Sequence, residues 1–123
     1  MTEFVTFFFD MSNNTKLYHW MTHSFPRHKA SDELFESIIE LSDKFMETYM
    51  GRYGRPKTTD RSTLKLNLKP YNDKTIVEYY KSCKSYLEGA FAFNLTEKDT
   101  DLINLRDEIL GKINQTLYLF TLS

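Results

Sequence analysis

His19, His23 and His28 are the only histidines in the chain. They fall within ten residues of one another, and carboxylates follow at set intervals. Asp32 stands four residues after His28, Asp43 fifteen and Glu47 nineteen. An α-helix turns about 100° per residue, so with His28 at zero Asp32 lies near ~40°, Asp43 near ~60° and Glu47 near ~100°. One imidazole and three carboxylates thus share a helical face. Nitrogen and oxygen donors in this mixture suit a transition metal, iron above all, whereas a structural zinc site usually recruits thiolates. Glu36 and Glu40 fall on the same arc, near ~80° and ~120°. A row of acids is also what the solvated side of an amphipathic helix presents, so both readings stand at this level.

Spacing along the helix constrains how such a metal could be held. Asp32 and Asp43 are eleven residues apart, about 16 Å of helix axis, too far for one ion to touch both. His28 with Asp32 makes one half-site and Asp43 with Glu47 another. Two copies of the helix packed antiparallel about a two-fold axis would bring the first half-site of each against the second half-site of its partner. His19, from the preceding helix, could complete the first half-site. The expectation is a homo-oligomer, at least a dimer.

Four helical segments must position these groups. Phe4, Phe8, Met11, Tyr18 and Met21 recur at three- and four-residue steps from roughly Glu3 to Thr22. Asn13 and Asn14 weaken that segment locally, and Pro26 closes it. Leu34, Ile38, Leu41, Phe45 and Tyr49 form the stripe of a second helix from about Arg27 to Met50, ended by Gly51, Gly54 and Pro56. A third segment, about Lys74 to Phe91, carries Ile76, Tyr80, Cys83 and Leu87, with Asn72 or Asp73 as its cap. The fourth opens on a capping-box variant, Thr96 to Asp99, and runs through Leu102, Ile109, Ile113 and Phe120.

Between the second and third segments, residues 52 to about 73 contain Pro56, Pro70, a polar run from Lys57 to Asp60 and the alternating Leu64, Leu66 and Leu68. A lone strand would have nothing to pair with, so the expectation is an extended crossover whose leucines are pinned to the bundle. Four helices with two short turns and one long central connection define an all-α, ferritin-like four-helix bundle, a single domain over residues 1–123. Trp20, the methionines and Tyr79, Tyr80 and Tyr86 read mainly as packing, Trp20 also as an interface contact, and Cys83 as an inert thiol on an apolar face.

Composition narrows the functional classes. A hydrophobic content of 41% with 15% aromatics argues against disorder. A net charge of −1 gives no bulk attraction to nucleic acid or an anionic membrane, and no apolar run approaches a membrane span. The basic cluster Arg52, Arg55, Lys57 and Arg61 reads as a solvated loop. The single cysteine excludes an intramolecular disulfide and points to a reducing, cytoplasmic setting.

Tyr18-His19-Trp20, then His28, Asp32, Asp43, Glu47 and the turn from Gly51 to Pro56, resemble the Dps-like miniferritins. The likeness covers residues 17 to 56. The chain also looks like short ferritin-like proteins of large DNA viruses and phages, which would place it in a host cytoplasm or a virion. The resemblance implies a ferroxidase centre at a dimer interface, with His19, His28 and Asp32 from one subunit and Asp43 and Glu47 from the other. It further implies non-haem iron as the metal, oxygen or peroxide as oxidant, and twelve subunits closing into a shell that stores ferric iron. The chain departs from the family in a shorter His19-to-His28 interval, which leaves His23 as the alternative to His19, in lacking a lysine-rich N-terminal arm, and in the composition of its crossover. DNA binding of the family's kind is therefore not expected. The contrasting expectation is a non-enzymatic helical assembly protein that keeps the bundle alone.

Overall fold

The computed structural model describes residues 2–59 and 61–123. It contains α1 (Thr2–Met21), α2 (Phe25–Tyr53), α3 (Thr75–Glu88), a 3-10 turn (Ala92–Asn94) and α4 (Thr100–Phe120), with no strand among the described residues. Asp60, the end of the polar run in the crossover, and Met1 lie outside them.

Side-chain contacts fix the directions of the helices. Asp10 meets Tyr79, Thr15 meets Tyr80 and Tyr18 meets Asp73, so α1 and α3 run antiparallel. Arg52 reaches Asp101 at one end of the bundle and Arg27 lies over the Phe120 ring at the other, so α2 and α4 are antiparallel as well. A three-residue turn reverses α1 into α2. Residues 54–74 therefore travel the full length of the molecule before α3 begins. The result is an all-α four-helix bundle with one crossover, the connectivity that the loop lengths predict.

Burial follows the predicted stripes. Leu34, Ile38 and Phe45 of α2 meet Ile76, Tyr80 and Leu87 of α3 and Ile109 and Ile113 of α4 in one core. Near the start of α1, Phe4 packs against Phe91 and Phe45, with ring centroids 4.4 and 5.2 Å away. Met11 is buried, but Met21 is exposed, so the methionines are not uniformly core residues. Cys83 is buried, and burial pushes its thiol up to about 12, which leaves it uncharged and unreactive.

Several boundaries differ from the periodicity. Pro26 opens α2 rather than closing α1: it occupies the first turn, where a missing N–H costs nothing, and the Ser24 hydroxyl accepts from Arg27 N. At the far end, Gly54 adopts φ 91° and its N–H donates to Met50 O at 2.8 Å, extending α2 to Tyr53. Asn72 caps α3 by accepting from the Lys74 and Thr75 amides, which leaves Asp73 to face Tyr18. The Thr96 amide donates to Asp99 Oδ2 at 2.8 Å, but this folds as a turn ahead of α4, which starts at Thr100.

α1 is uninterrupted through Asn13 and Asn14. Asn14 is fully buried and does not loosen the helix: its amide donates to Asn67 O at 3.1 Å and accepts from Lys69 N at 3.0 Å. Asp10 accepts from Asn67 N at 2.9 Å. The crossover is thus held by its backbone, and its leucines are not pinned to the bundle: Leu64, Leu66 and Leu68 are 42%, 36% and 52% exposed.

Candidate metal centre

The turn between α1 and α2 places the last residues of one helix beside the first residues of the next, and this brings His19 and His28 face to face. Their rings stack with centroids 3.8 Å apart and planes inclined by 17°. His19 Nδ1 lies 2.6 Å from His28 O, and His28 Nδ1 lies 2.8 Å from His19 O. A carbonyl can only accept, so each Nδ1 carries hydrogen and donates it. In a neutral imidazole the Nε2 lone pair is then free for a cation.

One turn into α2, Asp32 brings its Oδ1 to 3.9 Å from His19 Nε2. Lys16, one turn before His19, donates to the same oxygen at 3.1 Å. That hydrogen bond, followed by the charges of Lys16, His19 and His28, holds the Asp32 carboxyl below the usual carboxylate range against the opposing effect of desolvation. The Lys16 ammonium also sits 4.7 Å from the Phe35 ring. Sequence reasoning passed over Lys16, though it stands three residues before His19 on the same helix.

The remaining candidates lie elsewhere. Asp43 and Glu47 are exposed on the middle of α2 and make no hydrogen bond or ion pair among the described residues. Asp43 borders an apolar groove of about 440 Å³ between α1 and α2, lined by Val5, Phe8, Phe9, Ile39 and Met46. His23 is exposed and borders a depression with Asp73 and Lys74, away from the stacked pair. Trp20 does not pack in the core; it is 68% exposed beside Lys16. A single chain therefore joins His19, His28 and Asp32 but not Asp43 and Glu47. No group of three or more His, Cys, Asp or Glu side chains among the described residues is arranged to hold a metal ion. Two imidazoles and one carboxylate at this spacing are an incomplete donor set that the helix separation cannot complete from within.

Fold and site together define a small all-α bundle with a histidine–carboxylate cluster where its first two helices meet. The chain belongs to a family of unknown function (DUF5856), which it matches over residues 19–120. It is similar to an uncharacterised 14.6 kDa protein in the mobD-ri intergenic region of Enterobacteria phage T4, with 33% identity over 107 residues. That alignment covers 85% of this chain and 74% of the phage protein. No solved structure matches the chain. Kinship with a phage protein is thus supported, while these matches carry no miniferritin affiliation. No helix among the described residues is long and apolar enough to cross a membrane.

Proposed function

We propose that the protein binds Fe(II) at a site shared between two copies and oxidises it with oxygen or peroxide, in the manner of a miniferritin. The observation that carries this reading is the stacked pair of imidazoles. Both Nδ1 hydrogens are committed to carbonyls, which leaves both Nε2 atoms with a lone pair to donate, that of His19 3.9 Å from Asp32 Oδ1. Nitrogen and oxygen donors in this mixture match what iron accepts. Lys16 already places a cation against Asp32 and gives way when a metal arrives. Asp43 and Glu47 of a second copy supply the missing half of the ligand set when two α2 helices lie antiparallel. Storage of the ferric product and protection against peroxide follow if copies close into a shell.

Complementation tests this directly. Asp32→Ala and Glu47→Ala are each expected to oxidise Fe(II) no faster than buffer while keeping full helicity. Mixed after dissociation and reassembly, they regain about a quarter of wild-type activity, because half of the dimers are mixed and each mixed dimer rebuilds one of its two sites. Wild-type protein that oxidises iron no faster than buffer would remove the assignment.

A second reading draws on a different observation. Phe9, Trp20, Phe25 and Ile39 are exposed on α1 and α2, an apolar surface that fits an assembly protein whose acids merely face solvent. Ordered oligomers that form equally well with and without metal, together with iron oxidation at the buffer rate, are its expected signature.

A further inference from the structure

The crossover carries a row of main-chain groups that the bundle does not use. Asn67 N–H and C=O and Lys69 N–H are all bonded to Asp10 and Asn14 of α1. In an extended chain successive residues direct these groups to opposite sides, so the main-chain groups of Leu64, Leu66 and Leu68 point away from the bundle. Among the described residues they have no partner, and the three leucine side chains are exposed as well.

We propose that this edge of the crossover pairs antiparallel with the same segment of a second copy, in a register centred on Leu66. In that register Leu66 faces Leu66, Leu64 faces Leu68, Lys65 faces Asn67 and Thr63 faces Lys69. No lysine faces a lysine, and the leucines form one continuous stripe. The facing pairs 64–68, 66–66 and 68–64 are the hydrogen-bonded ones, each exchanging both main-chain bonds.

The ends of the ladder fit the same centre. Ser62 N–H is already spent on Thr59 O at 2.9 Å, and the residue it would face is Pro70, which has no N–H. The pairing therefore stops on both sides without leaving a stranded donor. A two-fold contact demands this self-complementarity; an unrelated peptide on the same edge has no reason to match it. The inference is independent of the metal half-sites, because it uses none of their residues.

Cross-linking of the full chain tests it. In a hydrogen-bonded antiparallel pair the facing Cα atoms are about 5.5 Å apart, within disulfide range. Cys83 is buried, so an introduced cysteine is the exposed thiol. Leu66→Cys is expected to oxidise to a covalent dimer under conditions where Thr58→Cys, outside the ladder, stays monomeric. Leu66→Pro, which deletes the central donor, is expected to weaken self-association about tenfold or more by sedimentation, with an unchanged helical spectrum. Equal cross-linking at both positions, or self-association indifferent to Leu66→Pro, would overturn the pairing. So would an absent cross-link at position 66 combined with protection of the Leu66 amide by another extended peptide, which would assign the edge to a different partner. Neither readout involves iron, so failure here and failure of the metal site are distinguishable.

Discussion

Asp99 sits fully buried ahead of α4, with the Tyr53 hydroxyl 2.6 Å and Arg52 Nε 3.3 Å from its carboxylate. The Tyr53 hydrogen bond, then the Thr96 amide, hold its carboxyl below the usual range, while desolvation opposes them. Asp73, under the Tyr18 hydroxyl, is shifted the same way. A carboxyl whose folded pKa lies below its unfolded value contributes stability that is fully present above the unfolded value, about 4. That contribution is lost as pH falls through the folded value. Acid unfolding followed by circular dichroism should therefore steepen below about pH 4. Asp99→Asn should flatten that dependence while lowering stability at neutral pH. The same scale shows what spacing can and cannot disclose about the candidate centre. His28 and Asp32, four residues apart, are neighbours on any helix. The stacking of His19 on His28 depends on a three-residue turn and on two backbone carbonyls that no side-chain pattern reports.

The helices themselves were legible because each buries a stripe at helical period, and their order followed from connection lengths. What escaped the pattern are contacts between residues far apart in the chain. Asn14 looks like a helix-weakening residue in isolation, yet it anchors a segment more than fifty residues away. Asn14→Ala should leave the Lys69 amide and the Asn67 carbonyl without their anchor and cost about 1 kcal/mol or more. Asn13→Ala, on the exposed side, should change stability by less than about 0.5 kcal/mol. Chemical denaturation of both variants checks the contrast. The leucines of the crossover misled for the same reason. Alternation pointed to an extended crossover with its leucines pinned, but apolar side chains alone did not reveal that the backbone does the holding.

At the scale of the whole molecule, the proposed metal half-sites and the proposed crossover pairing are two different two-fold contacts on one chain. If both form, the assembly cannot stop at a dimer and must close into a higher symmetry or continue as a fibre. The crossover also divides the chain into two helical hairpins joined by one thread. Each hairpin is clasped to the other through α2 with α4 and α1 with α3. Lys57 and Arg61 lie exposed on that thread. Trypsin should therefore nick the native protein there first and leave two fragments that travel together through a sizing column and separate in denaturant. The cut molecule would then behave as a heterodimer, with a melting temperature that rises with concentration more steeply than that of the intact chain. Expressed as separate genes, the two hairpins should find each other and rebuild the bundle, so that the fold can serve as a split reporter of whatever brings its halves together.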